Sequence, residues 1–280
     1  MPELKHVITH LTETGYKNHT ANLQQNSLPL QKNVAMKLVV HPEYNYLLNW
    51  IKEIPSFFST QGETIYQSRN ELKVFDTDFG KIVVKSFRIP HILNRFVYSF
   101  LRDSKAKRSY DYSLEIHKRG FQTPQPIAFL ELYKAGLLSE SYYISAYSDF
   151  SLMRNFNFIK KLAEEDKVIL KAFACFTARL HEKEIYHTDY SNGNILYKKV
   201  GENVLFELID VNRILFKKVT EEMAYKAFHR LDMSIEMLKI TAEEYAKQRR
   251  MDVEKCITEI KRLNLKTMRP YKSFHLSRPD

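Results

Sequence analysis

Glycine is scarce in this sequence: seven residues in 280. Neither a Walker nor a Rossmann glycine pattern occurs, so the two familiar glycine-built phosphate cradles are not expected. Cysteine is scarcer still, with two residues. Cys175 and Cys256 stand in no metal-ligand or redox spacing, and reduced thiols are expected of them. No stretch is apolar for long enough to span a bilayer. The opening residues, MPELKHVITHLTETGYKNHT, lack the apolar run of a signal peptide. Together these absences predict a cytoplasmic protein.

What is present suffices for a full core. Hydrophobic residues make up 44% and aromatic residues 13%, more than a disordered chain carries. The length suits one large domain or two modest lobes around a cleft. The formal net charge of +10 favours polyanionic partners such as nucleic acid, acidic lipid or phosphorylated glycan, though a merely basic soluble protein has the same balance. No nucleic-acid-binding motif accompanies the charge, and no nucleic-acid partner is expected.

Residues 1–35 are polar and weakly periodic and read as an extension. Apolar periodicity predicts a helix over 43–53, ended by Pro55. Strands are predicted at Glu63–Gln67, Glu71–Thr77 and Lys81–Phe87, with turns between them. Helices are predicted across Ile92–Leu101 and Lys105–Arg119, the second stopped by Gly120. Ile127–Leu132 and Tyr142–Tyr147 read as a strand pair. From Asn157 the pattern is mostly helical, including Lys167–Lys183, and is interrupted by a loop and short strands across Tyr186–Phe216. The expected division is an extension (1–35), a β-rich lobe with one key helix (36–146) and a helix-rich lobe (147–280).

The most informative stretch is HTDYSNGNIL, residues 187–196, with the spacing His-x-Asp-x4-Asn. An apolar strand pattern, VLFELID, then leads to Asp210. Phosphoryl transfer needs one Asp to orient the attacking hydroxyl, and an Asn and a second Asp to hold the ions that bridge the phosphates. Asp189 fits the first role and Asn194 and Asp210 the metal roles. His187 is expected to pack inward and brace the loop. A helix-capping Asp and turn-forming Asn residues could meet by chance, but the flanking helix and strand patterns favour the catalytic reading.

This pattern resembles the catalytic loop of the protein-kinase-like superfamily. The resemblance implies an α+β, two-lobed kinase-like fold. It also implies a phosphate-binding Lys at the end of an apolar strand, which Lys85 of IVVK satisfies, and a carboxylate on the next helix to hold that lysine. Asp111 is favoured for this role and Glu115 is the alternative. No glycine-rich loop is present. The turn Gln67–Asn70 would have to meet the phosphates through its backbone or through Ser68 and Arg69, and Ala146, in the last predicted strand of the first lobe, is placed at the nucleotide. The arginine that regulated protein kinases carry before the catalytic Asp is Thr188 here. Only Val211–Val219 separates Asp210 from the next helical pattern, leaving little room for peptide docking.

Three stretches together, SKAKRSYDYSLEIHKRGFQTPQPIAFLE (104–131), HEKEIYHTDYSNGNIL and ELIDVNRILF, resemble the lipopolysaccharide core kinase family, which phosphorylates Kdo or heptose sugars. The resemblance implies ATP, Mg2+ and a sugar acceptor on a lipid anchor. A protein kinase, another small-molecule kinase, a pseudokinase scaffold and a nucleic-acid binder are the competing readings. The expected acceptor is an anionic sugar or glycolipid, and Arg213, three residues past Asp210, is assigned to it. Residues 81–110 carry eight Lys or Arg (81, 85, 88, 95, 102, 105, 107 and 108) against Asp103 alone. This segment is expected either to pack as an ordinary lobe helix or to touch an anionic membrane peripherally.

Overall fold

The strand β4 (Gly80–Phe87) shows how the sequence pattern places the site. Ile82 and Val84 are buried in one core, while Val83 and Lys85 point to the opposite face, as strand alternation requires. The computed structural model describes residues 34–88, 98, 102–159 and 161–267. Within it β4 sits inside a six-stranded sheet of order β1-β5-β6-β4-β3-β2, made by β1 (Val34–Val40), β2 (Glu63–Gln67), β3 (Asn70–Thr77), β4, β5 (Pro126–Lys134) and β6 (Leu137–Ala146). Every neighbouring pair is antiparallel.

The helix α1 (Leu48–Phe57) packs Ile51 and Ile54 into the core on one face of this sheet, with Ile82, Val84, Leu130 and Ile144. It continues past Pro55, correcting the expected stop. Proline removes one backbone donor, but the last turn is closed by Phe58 N–H donating to Ile54 O at 2.8 Å, and burial of Ile54 holds it. Val34 and Ala35, expected in the extension, belong to β1, paired with Lys134 and Tyr133 of β5.

On the sheet's other face lies α2 (Lys105–Lys118). Its start is capped by Ser104, whose hydroxyl accepts from Lys107 N–H at 3.0 Å. Its end is a left-handed Gly120 (φ +82°), which lets Phe121 N–H reach Ile116 O at 3.1 Å. The buried α2 residues are Ala106, Arg108, Ser109, Tyr110, Ser113 and Ile116, and Ala106 and Tyr110 pack with Phe87 and Phe129 of the sheet. The expected helix across Ile92–Leu101 lies outside the described residues.

The second half is helical around a larger core. The helix α3 (Glu164–Glu182) buries Phe173 against Tyr190 and Phe206, and packs His181 on the fully buried Tyr245 of α5 (Ile235–Arg249). Three acidic residues open α3, where the helix dipole favours them. The short helix α4 (Glu221–Ala227) and the terminal α6 (Val253–Thr267) complete this half. Short strands line its sheet-facing side: β7 (Ser151–Leu152), β8 (Ile185–His187), β9 (Ile195–Val200), β10 (Asn203–Leu208) and β11 (Ile214–Phe216). β8 pairs with β11 and β9 with β10. The loops between β8 and β9, and between β10 and β11, therefore lie side by side. Among the described residues no helix is long and apolar enough to cross a membrane.

Candidate active site

Asp189 and Asn194 sit in the β8–β9 loop, and Asp210 follows β10. A backbone bond joins the two segments, Ile209 N–H donating to Asn194 O at 3.0 Å. His187 braces the same place. Its Nε2 lies 3.1 Å from Ile209 O and its Nδ1 accepts from Asp189 N–H at 3.1 Å. Both contacts use a neutral imidazole with the proton on Nε2. Burial holds the His187 pKa below its ordinary value, against the opposing pull of the Ile209 carbonyl and of Asp210. Asn194 Nδ2 donates to Asp189 O at 2.8 Å, which closes the loop and leaves its Oδ1 as an acceptor. Asp210 has left-handed backbone (φ +55°, ψ +38°), a strained setting that Asp tolerates better than most residues and that recurs at functional sites.

Lys85 reaches this cluster across the cleft. Its Nζ is 2.5 Å from Asp210 Oδ1, and Asn212 Nδ2 donates to the same oxygen at 2.8 Å. Burial raises the Asp210 pKa, but the charge and hydrogen bond of Lys85 outweigh it, and the net shift is downward. A second lysine, Lys105 at the start of α2, lies within electrostatic reach of Asp210, Lys85 and Arg213. Its pKa is lowered, first by burial and then by Arg213.

The Lys85–Asp111 pair expected from the sequence is not formed. Asp111 binds Lys107 at 2.7 Å, and Glu115 binds Arg119 at 2.7 Å. The reason is helical phase. Ser109, Tyr110 and Ser113 face the sheet, and at 100° per residue Asp111 falls about 200° from both Ser109 and Ser113. What α2 offers on Lys85's side is a hydroxyl: Ser113 Oγ meets Tyr143 Oη at 2.9 Å, and Tyr143 is the β6 partner of Lys85. The carboxylate that holds Lys85 is Asp210.

Two further contacts were not legible in the sequence. Arg108, buried on α2, donates from Nη1 to Asn212 O at 3.0 Å, tying the helix to the loop that carries Asp210. Arg230 ion-pairs with Asp189 Oδ1, and Arg213 lies 3.6 Å from Oδ2. Arg108 lies in the 104–131 stretch that carries the family resemblance, but nothing there points to Asn212, and Arg230 lies outside all three stretches.

Ser68 and Arg69 are exposed at the β2–β3 turn, where Ser68 N–H donates to Asn70 O at 3.0 Å. Ala146 ends β6, half-buried, with its N–H taken by Gln125 O at 2.9 Å. The basic segment divides. Residues 89–97 and 99–101, Arg95 among them, lie outside the described residues. Arg108 is buried, Lys107 bridges Asp103 and Asp111, and Lys105 turns to the cleft. These three do not present a free basic surface.

The donor set suits a divalent cation bound with phosphates: Asp210 supplies a carboxylate and Asn194 an amide oxygen from adjoining segments, and both are hard oxygen ligands. A lysine ammonium facing them suits phosphate oxygens.

Three solved structures are similar to the chain to different degrees. WaaP in complex with acyl carrier protein is 14% identical, covers 83% of this chain and 100% of its own, and has a TM-score of 0.58. The Rio2 kinase from Chaetomium thermophilum, solved as an ADP/Mg2+–phosphoaspartate complex, is 15% identical over 81% of this chain and 70% of its own, with a TM-score of 0.43. The PknI kinase domain from Mycobacterium tuberculosis is 12% identical over 69% and 74%, with a TM-score of 0.38. No curated protein matches the chain by sequence. The fold is protein-kinase-like. The model of the lipopolysaccharide kinase (Kdo/WaaP) family matches residues 68–251, from the β2–β3 turn to the end of α5. The chain is thus a phosphotransferase, and it belongs to the lipopolysaccharide kinase family.

Proposed function

We propose that this kinase transfers the γ-phosphoryl group of ATP to a sugar hydroxyl, of Kdo or heptose, in the lipopolysaccharide inner core or a related lipid-linked glycan. The observation that carries the reading is the convergence of Lys85, Asp189, Asn194 and Asp210 from both halves of the chain, braced by His187.

Asp210 and Asn194 Oδ1 would hold Mg2+. When bound, the ion neutralises the phosphate oxygens and draws charge from the leaving group. Lys85 would exchange its bond to Asp210 for the α- and β-phosphates. Ser68 and Arg69 are exposed at the turn above and available to the phosphates, in place of a glycine-rich loop. Ala146 would meet the adenine through its carbonyl or side chain, since its N–H is already used. Asp189 would accept a hydrogen bond from the sugar hydroxyl. As the new oxygen–phosphorus bond forms, the bond from the γ-phosphorus to the β-bridging oxygen breaks, ADP leaves, and the hydroxyl proton passes to Asp189 and then to solvent.

The segment after Asp210 favours a glycan over a peptide. β11 pairs straight back onto β8, and α4, capped by Thr220, begins soon after. No extended platform for a peptide lies between them. A glycolipid acceptor would also bring the enzyme to the cytoplasmic membrane surface.

The test is incubation with Mg-ATP and deacylated inner-core oligosaccharide lacking core phosphate. The expected result is a mass gain of one phosphoryl group, abolished by Asp189→Ala. Transfer to a protein substrate but to no glycan would overturn the reading.

A further inference from the structure

Two guanidinium groups, of Arg213 and Arg230, converge on the one carboxylate of Asp189. Arg230 pairs with Oδ1 and Arg213 lies 3.6 Å from Oδ2. Both arginine side chains are about half exposed, at 50% and 49%, above an Asp189 that is 23% exposed. Two cations thus face one anion, and among the described residues most of their N–H donors are uncommitted.

Asp189 does not need them to hold its place. Its N–H donates to His187 Nδ1 and its carbonyl accepts from Asn194. The arginine contacts are solvent-facing ion pairs, a class that contributes about 0–1 kcal/mol, so an incoming anion can displace them.

Arg230 is nonetheless firmly mounted. It ends a 3-10 turn, Phe228–Arg230, between the buried Phe228 and Leu231. Asn264 of α6, 2% exposed, donates from Nδ2 to the carbonyls of both, Phe228 O at 3.3 Å and Leu231 O at 2.8 Å. On the other side Asn192, three residues past Asp189, donates to Asp232 O at 2.9 Å and to Asn157 Oδ1 at 2.7 Å. Asn157 in turn donates to the Asp232 carboxylate at 2.9 Å. A buried asparagine from each neighbouring segment therefore fixes the loop carrying Arg230 beside the loop carrying Asp189.

We propose that Arg230, with Arg213, forms an anion clamp over Asp189 that binds a carboxylate or phosphate on the acceptor, beside the hydroxyl to be phosphorylated. The proposal rests on the sugar-kinase reading and names the acceptor's chemistry. Engagement of the acceptor's anion draws the guanidiniums off Asp189 and frees its carboxylate for the hydroxyl. A neutral sugar leaves Asp189 covered, so the clamp selects acidic acceptors.

The experiment compares wild type, Arg230→Ala and Arg230→Lys on deacylated inner-core oligosaccharide in three forms: unmodified, with its carboxylates methyl-esterified, and enzymatically dephosphorylated. Arg230→Ala should raise the acceptor KM about ten- to hundredfold, the range lost with a hydrogen bond to a charged group, and leave the KM for ATP unchanged. Arg230→Lys, which keeps the charge but not the two-pronged geometry, should fall between. The chemical treatment that erases the difference between wild type and Arg230→Ala identifies the anion. An equal fall in kcat on all three acceptors, with KM unchanged, would make Arg230 a brace for Asp189 and refute the clamp. A second measurement needs no acceptor: inorganic phosphate is titrated calorimetrically into enzyme saturated with Mg-ADP. Wild type should bind it and Arg230→Ala should bind at least tenfold more weakly; equal binding overturns the clamp. If no glycan is phosphorylated while the phosphate difference persists, the sugar-kinase reading fails and the anion site stands.

Discussion

The exchange of partners at Lys85 gives the most direct test of the site. Lys85 and Asp210 are 13% and 27% exposed, with 2.5 Å between the charged atoms. Two unit charges at that distance attract by about 7 kcal/mol at an effective dielectric constant of about 20. Desolvation removes most of this. The net worth should approach that of a hydrogen bond between charged groups, about 1.5–3 kcal/mol. Lys85→Met and Asp210→Asn, alone and together, form a double-mutant cycle read by urea unfolding without nucleotide. The coupling energy should be about 1.5–3 kcal/mol. The parallel cycle of Lys85→Met with Asp111→Asn should be additive to within about 0.5 kcal/mol, because Asp111 is held by Lys107 on another face of α2. A coupling near zero in the first cycle, or above about 1 kcal/mol in the second, would refute the pairing. Stability is the readout because both residues are also proposed to meet the nucleotide, and turnover alone could not separate the two effects.

The roles of the two aspartates should separate in calorimetry with Mg-ATP: Asp189→Ala should abolish transfer yet bind the nucleotide nearly as wild type does, whereas Asp210→Ala should lose both, and equal loss of affinity would contradict the assignment. Arg108→Met, which strips the Asn212 carbonyl of its buried donor, should lower kcat/KM for ATP about ten- to hundredfold, with partial rescue by Arg108→Lys; a drop in melting temperature with unchanged kinetics would make Arg108 merely structural. His181 is buried against Tyr245 Oη at 2.7 Å, and burial, then Arg249, pushes its pKa down to about 3. It stays neutral in the folded state at pH values where the unfolded chain protonates, so its contribution is complete above about pH 6.5 and declines as pH falls towards 3. The loss is about 1.4 kcal/mol per pH unit, or about 2 kcal/mol by pH 5. Urea unfolding at pH 7.5 and 5 should show this slope in wild type and a flatter one in His181→Gln; identical slopes would dismiss it.

The sequence by itself determined the grouping of side chains in the β8–β9 loop. His187, Asp189 and Asn194 lie within eight residues, so their spacing alone sets the turn, and the apolar run before Asp210 marks a strand end at a fixed remove. Lys85 was legible for the same reason, since strand period two decides which face a residue takes once its neighbours are apolar. The ends of α2 were legible too, because Ser104 and Gly120 are local signals. Tertiary structure decided what depended on phase and distance. Asp111 and Glu115 each suited a lysine partner, but only the packing of α2 through Ser109, Tyr110 and Ser113 turned both away from Lys85. β1 was missed because its sequence is apolar on both faces, Val34, Leu38 and Val40 packing on the core while Val39 is exposed, and its strand character comes from pairing with β5, which lies far along the chain. Arg108 read as one more charge in a basic run until its burial beneath the Asn212 carbonyl gave it a partner 104 residues away. Arg230, 41 residues from Asp189, lies in a stretch without any motif. Asn264 and Asn192 bring it to the loop that carries Asp189 through bonds to backbone carbonyls, and such bonds depend on where the chain runs, which no local pattern of side chains encodes.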